Sequence, residues 1–410
     1  MDTQPPKIIK WTPATAEYFK NPYLNLNACL AFNPVQQVSA SEWVLFRYEH
    51  VKQLLRDQTC LTADLSGFFE KKEPMLLKNT SQCPFLSKAT RKWMMYLDGD
   101  AHSVAREMVE KVLKCYDLDE IVNRCLNDWI SRFFEADRLD MAHVASVLPS
   151  LIFLSLYQPL NEDWASFEHL KQVSQSLARS QDLYKSVKQY QDYNADAAWL
   201  FSTIRKDFED INFADSALVR NFLRVNEEMG NLFTVDELVS LAIILFFASV
   251  ETTVDTISTS VYEFFKNPEL LDYILSADAK QINILAEELF RFASPQQYTI
   301  RINTKPIEIG GHLIPENSRI YLCIASANYD QTVFENPDQI VADRSYNPHL
   351  AFGSGTHACL GARLARIELK ALLKPLAGVL KNFKLDESTE VEWQKAIFMR
   401  GVKNLWSVKI

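Results

Sequence analysis

No two cysteines in this sequence are spaced Cys-x-x-Cys. The seven that occur, at 29, 60, 83, 115, 125, 323 and 359, form an odd and scattered set. That pattern argues against a disulfide framework and suits reduced thiols in a cytoplasmic protein. Positive charge is in deficit: 43 Lys and Arg against 52 Asp and Glu leave a net −9, which argues against nucleic acid as the main partner. The longest apolar run, "LVSLAIILFFASV" over 238–250, falls short of the about 20 residues a membrane span needs. It lies between Glu237 and Glu251, so a buried helix is expected. The start, "MDTQPPKIIKWTPATAEYF", has no apolar h-region, so neither a signal peptide nor a membrane anchor is expected. Repeats, low-complexity tracts, clear linkers and flavin or nicotinamide fingerprints are also missing.

What remains is a chain that is 48% hydrophobic and 12% aromatic, ample for a sizeable core. Short apolar runs broken by Pro and Asn predict small strands and loops over the first 60 residues. Residues 61–100, with Pro74 and Pro84, read as irregular. From about 101 to 293 the apolar spacing is helical almost throughout. Within it a long helix is expected from an N-cap at Thr234, with Glu237 three residues on, to about Lys266. At 1.5 Å per residue it would span about 48 Å. "IRINTKPIEIGGHLIPENSRIYLCIA" alternates like a small antiparallel sheet turning at Gly310-Gly311. A last helix is expected at about 360–378, then short strands. The reading is one mainly α domain with small β-sheets, covering 1–410.

"HLAFGSGTHACLGARLARIE" (349–368) carries the chemistry-bearing cysteine, Cys359. A phosphate cradle does not fit, because the Lys-Ser/Thr of a Walker A loop is missing. Zinc does not fit either, since His357 and Cys359 are cramped and no second pair lies nearby. A cysteine nucleophile at a helix start, with a base such as His102, is physically reasonable. A buried inert thiol would leave Gly353, Gly355 and Gly361 unexplained. Those glycines would let the backbone approach a flat ligand closely, and a thiolate there can serve as an axial ligand of haem iron.

"FGSGTHACLG" resembles the cysteine-ligand signature of the cytochrome P450 family, Phe-Gly-x-Gly-x-x-x-Cys-x-Gly, at Phe352, Gly353, Gly355, Cys359 and Gly361. Further stretches resemble the family in the expected order. The resemblance implies the family fold, with haem b (iron protoporphyrin IX) between a long distal helix and the proximal helix of the cysteine loop. Glu288 and Arg291 in "EELFR" match the family's Glu-x-x-Arg pair, a structural ion pair; alone, such a pair is a common solvated feature. "DGDAHSVAR" resembles the helix that gives His102 and Arg106 to the haem propionates; alone, it reads as a helix cap and a solvated arginine. Arg301 and His357 match two further propionate partners. "LFFASVETTVD" resembles the distal helix, mapping onto Ala248, Ser249, Val250, Glu251 and Thr252. There a local widening beside O2 is implied, with Thr252 holding the oxygen and Glu251, joined by Asp255, relaying protons. The plain alternative is threonine hydroxyls back-bonded to i−4 carbonyls and a glutamate reaching solvent. Ser249 stands where the family usually has Gly.

The implied function is that of a monomeric, cytoplasmic, bacterial-type monooxygenase. Electrons would come from a ferredoxin or flavodoxin with its reductase, docking on a basic face of Arg363, Arg366 and Lys370 near Arg91 and Lys92. The substrate is read as a mid-sized, largely apolar organic molecule. By family position its pocket takes Ile244, Phe247, Ala248, Gln297, Tyr298, Ile397 and Phe398, the 61–97 loop and the 160–200 helix pair. Three rivals stand beside this: the same scaffold running peroxide-driven oxidation, coupling, desaturation or rearrangement; a haem-thiolate binding or sensor protein; and a cysteine hydrolase without haem.

Overall fold

A computed structural model describes residues 9–131, 136–157, 164–183, 185–209 and 216–410. Residues 160–163 and 184 of the expected 160–200 helix pair lie outside the described residues. Two compact units emerge. The first comprises Met1–Ala63, Asp278–Cys359 and Glu392–Lys403; the second comprises Asp64–Ala277, Leu360–Val391 and Asn404–Ile410.

The first unit is organised by a five-stranded sheet. Its strand order is Val35–Ser39, Glu42–Leu45, Arg319–Leu322, Thr299–Asn303 and Cys60–Thr62. Glu42–Leu45 pairs parallel to Arg319–Leu322, and the other neighbours are antiparallel. The expected turn at Gly310-Gly311 closes a separate hairpin, Ile307–Ile309 with His312–Ile314, where both glycines have positive φ (+56° and +78°). Three helices, Ala16–Lys20, Pro22–Phe32 and Tyr48–Arg56, appear where only strands and loops were expected. Pro22–Phe32 starts with Pro22 in its first turn, behind Asn21, whose side chain accepts the Tyr23 N–H. In Tyr48–Arg56 the buried residues Tyr48, Val51, Leu54 and Leu55 form one stripe, packed into a core with Leu45, Ile320 and Leu322. Short helices of this kind form because tertiary burial supports them, not because of propensity.

The second unit is helical. Its axis is Val235–Lys266, begun by a capping box in which the Thr234 hydroxyl accepts the Glu237 N–H and the Glu237 carboxylate accepts the Thr234 N–H. Met141–Tyr157, Trp164–Ser180, Val187–Glu209 and Ala362–Leu380 pack against it. Among the described residues this helix is long and apolar enough to cross a membrane, yet 78% of its most apolar window is buried inside the protein. It is a core helix. The stretch read as irregular instead carries helices Leu65–Leu76 and Leu86–Thr90. Asp64 caps the first, accepting the Gly67 N–H at 2.8 Å. Pro74 lies inside that helix, where its missing N–H removes one amide bond of the ladder. Buried Glu73 ties the two helices together, accepting the Ser87 N–H at 3.0 Å and its hydroxyl at 2.6 Å.

Candidate functional site

In the first unit, Cys359 ends a loop that folds back on itself. Gly353 and Gly355 sit at φ +68° and +76°. A Cβ on Gly355 would come within 2.8 Å of the Leu55 carbonyl oxygen, so the position requires glycine. The Cys359 N–H donates to the Phe352 carbonyl at 2.8 Å, and the Ala358 N–H to the Gly355 carbonyl at 3.0 Å. The loop leaves the cysteine exposed, two residues before Gly361, the N-cap of Ala362–Leu380. The Phe352 ring packs against Phe290 with centroids 4.8 Å apart. His357 is half-buried in the single turn Gly355–His357. Arg301 is buried in the sheet, donating to the Thr299 hydroxyl at 3.2 Å and the Ile300 carbonyl at 2.9 Å.

Glu288 and Arg291 are both fully buried and meet through two 2.8 Å hydrogen bonds. Arg291 also donates to the carbonyls of Asn328, Pro337 and Gln339. Glu288 accepts from Arg344, Asn347 and the Val341 N–H. Sequence reasoning found the pair but not Arg344 and Asn347, which only tertiary folding brings to it. Gln297 and Tyr298 are core residues: the Gln297 amide donates to the Ser294 carbonyl at 2.8 Å, and the Tyr298 and Phe398 rings meet edge-on at 5.6 Å.

In the second unit, Ile244 and Phe247 are buried on the long helix and Ala248 is exposed. Phe247 stacks on Trp93 at 5.1 Å, a partner that nothing in the sequence marked. The local widening implied for this stretch is not seen; the helix runs unbroken from Val235 to Lys266. Its hydroxyls back-bond instead: Thr252 to the Ala248 carbonyl at 3.1 Å, Thr253 to Ser249 at 3.3 Å, Ser249 to Phe246 at 3.2 Å. Such bonds add to the amide ladder without opening it.

Glu251 does not reach solvent. It is 4% exposed, and burial lifts its carboxyl from the ordinary 4.5 to about 7. The Ser174 hydroxyl and the more distant cations Arg179 and Lys171 oppose that rise. The Ser174 hydroxyl stands near the carboxyl but outside regular hydrogen-bond geometry. Asp255 is buried one turn further along.

His102 and Arg106 lie on Gly99–Leu113, which packs against the long helix. Asp98, not His102, occupies the N-cap. Burial, then the Arg106 charge, pulls His102 below the ordinary histidine value, against Asp98. Arg106 is partly exposed, and its guanidinium pairs with Glu110 at 2.9 Å. The expected basic face is partly neutralised, since Lys92 pairs with Glu237 at 2.9 Å and Arg363 lies 3.6 Å from Asp119.

The donor set can be tested against a cofactor. Among the described residues no group of three or more His, Cys, Asp or Glu gathers to cage a metal. One exposed cysteine on a glycine-shaped loop would fit an iron already held by a macrocycle. Buried His102 and Arg301 supply donors of the kind that propionates require.

Comparison with known proteins agrees. The family model for cytochrome P450 matches residues 69–276 and 280–403. The biotin biosynthesis cytochrome P450 of Bacillus subtilis is 27% identical over 399 residues, covering 93% of this chain and 94% of that protein. Cytochrome P450 119 of Sulfurisphaera tokodaii is 27% identical over 369 residues, covering 88% and 93%. The solved structure of P450BioI, in complex with an acyl carrier protein ligated to hexadec-9Z-enoic acid, superposes with a TM-score of 0.81 at 24% identity, over 96% of this chain and 100% of that one. With four-fifths of its length matched by the family model, and the cysteine loop and buried Glu-x-x-Arg pair in place, this chain belongs to the cytochrome P450 family of haem-thiolate oxidoreductases.

Proposed function

We propose that this chain, as a single catalytic domain and a monomer in the cytoplasm, is a monooxygenase that oxidises a mid-sized, largely apolar organic substrate. Two electrons would reach it from a separate ferredoxin or flavodoxin with its reductase. The observation that carries the reading is Glu251, a buried carboxyl poised near neutrality beside the Thr252 hydroxyl. Reductive use of O2 consumes protons inside a dry site, and a group with a pKa near 7 both holds and releases one there. A peroxide-driven enzyme or a sensor has no need of that device.

Haem b, when bound, supplies the iron chemistry that activates O2 and transfers an oxygen atom. The chain's own residues do the rest. Cys359 ligates the iron as thiolate, favoured by the helix start that follows it in the chain. His102, Arg106, Arg301 and His357 hold the propionates through charge-assisted or neutral hydrogen bonds; Arg106 exchanges its bond to Glu110 for one of them. The Thr252 hydroxyl, which donates to the Ala248 carbonyl, would turn from it to hold a proton for O2. Glu251 resupplies that proton. Ile244, Phe247 and Ala248 present apolar surface to the substrate. Relatives named for biotin and polyketide biosynthesis support a small organic substrate of a biosynthetic route.

Thr252→Ala tests the reading. A substrate is first found by a compound screen for shifts of the haem spectrum, then turned over with surrogate redox proteins. The variant is expected to keep haem, substrate binding and O2 consumption. Product per reducing equivalent should fall about tenfold or more, as general acid catalysis contributes roughly 10²–10⁴, with hydrogen peroxide released in its place. An unchanged ratio contradicts the assigned role.

A further inference from the structure

His349 opens the segment that becomes the cysteine loop, and it takes no part in the assignments to haem, oxygen or substrate. Its side chain is only 3% exposed, yet both ring nitrogens are engaged. Nδ1 accepts the Ala351 N–H at 3.3 Å, and Nε2 lies 3.1 Å from the Glu287 carboxylate. A ring nitrogen that accepts an amide N–H carries no proton, so these two contacts assign the hydrogen to Nε2, which donates to Glu287. Tautomer and ring orientation are fixed together.

The ring joins a rigid helix to the stem of the loop, all within the first unit. Glu287 lies on helix Ala279–Ala293, which the neighbouring Glu288–Arg291 pair ties into the core. The His349 ring also meets the Phe352 ring, with centroids 5.7 Å apart. Phe352 is the residue whose carbonyl accepts the Cys359 N–H. Two further bonds close the stem: the Gly353 N–H donates to the Leu350 carbonyl at 2.8 Å, and the Leu350 N–H to the Asn328 side chain at 2.7 Å. An Nε2–H held by a carboxylate polarises the imidazole and makes Nδ1 the stronger acceptor. The contact to Ala351 is therefore the point at which the helix grips the loop.

We infer that His349 is a positioning residue for Cys359: oriented by Glu287, its Nδ1 holds Ala351 and so sets the Phe352 carbonyl that fixes the cysteine amide. It acts through the loop backbone. Without it the stem keeps its Leu350 and Gly353 bonds, but Ala351 loses its acceptor and Phe352 loses one of its two ring neighbours. The sulfur at the end of the loop would then wander and admit water. The spectroscopic consequence rests on Cys359 ligating haem iron; the consequence for the loop does not.

The test compares the haem-loaded wild type with His349→Ala, His349→Asn and His349→Gln. Asparagine keeps an acceptor where Nδ1 stood, glutamine keeps a donor where Nε2 stood, and alanine keeps neither. Two quantities are read: hydrogen exchange of the amides in 350–359, and the temperature at which the reduced carbon monoxide complex loses its thiolate band. His349→Ala is expected to speed exchange in the loop about tenfold, the effect of about one lost hydrogen bond, with exchange in helix Val235–Lys266 unchanged. Its thiolate band should fail at a lower temperature. His349→Asn should restore most of both, and His349→Gln should resemble alanine. An alanine variant indistinguishable from the wild type, or an asparagine variant no better than the glutamine variant, would overturn the inference. If the alanine variant does not fold, the asparagine and glutamine pair makes the same decision. A purified protein that takes up no haem would contradict the proposed function, and loop exchange measured on that protein would still decide this one.

Discussion

Glu251 is the residue of the candidate site whose ionisation most alters this protein's behaviour with pH. Its native pKa of about 7 lies above the ordinary 4.5 expected of the unfolded chain. Between those values the native state keeps a proton that the unfolded state has released, so this group's contribution is complete below about pH 4.5 and is lost as pH rises through 7. The loss totals about 3 kcal/mol, at about 1.4 kcal/mol per unit. Glu251→Gln removes the titration. The variant should gain on the wild type from pH 5 to about 7 and then level off in urea unfolding midpoints, and parallel profiles would show that the carboxyl is hydrated. In turnover the same variant should be slower while product per reducing equivalent holds, because the Thr252 hydroxyl remains. The sequence showed that a carboxylate sat in an apolar helix. Lys171, Ser174 and Arg179, which oppose the rise that burial imposes, come from another helix and left no mark beside it in the chain.

At the scale of elements, the legible parts were those with local signals. The capping box at Thr234, the stop after Lys266 and the Gly310-Gly311 hairpin can each be read from a few adjacent residues. Helices Pro22–Phe32, Tyr48–Arg56 and Leu65–Leu76 were not legible, since each is short and is supported by what it packs against. The widening at Ser249 was an expectation of resemblance, and hydroxyl back-bonding stands in its place. The Glu288–Arg291 pair is where an element depends most on a single contact. Removing the acid leaves Arg291 buried with its charge uncompensated, and Arg344 and Asn347 lose their acceptor. Breaking a buried pair in this way costs about 3–5 kcal/mol. Glu288→Ala should therefore give little folded, haem-loaded protein, and soluble yield with thermal unfolding checks it. A variant with wild-type yield and midpoint would mean that the loop carbonyls around Arg291 suffice alone.

For the whole molecule, helical periodicity and order of motifs were enough to read the fold class, because 101–293 repeats one pattern and the cysteine loop is specific. Surface properties were less legible. Lys92 and Arg363, read as part of a free basic face, have acidic neighbours brought by folding. The central claim remains that one exposed cysteine, Cys359, holds a haem iron as thiolate. The absorption spectrum of the reduced carbon monoxide complex of the purified protein tests it most directly. The wild type should show the band diagnostic of thiolate ligation, and Cys359→His should bind haem without that band. The same spectrum from both proteins, or a wild type with the band of histidine ligation, would contradict the account.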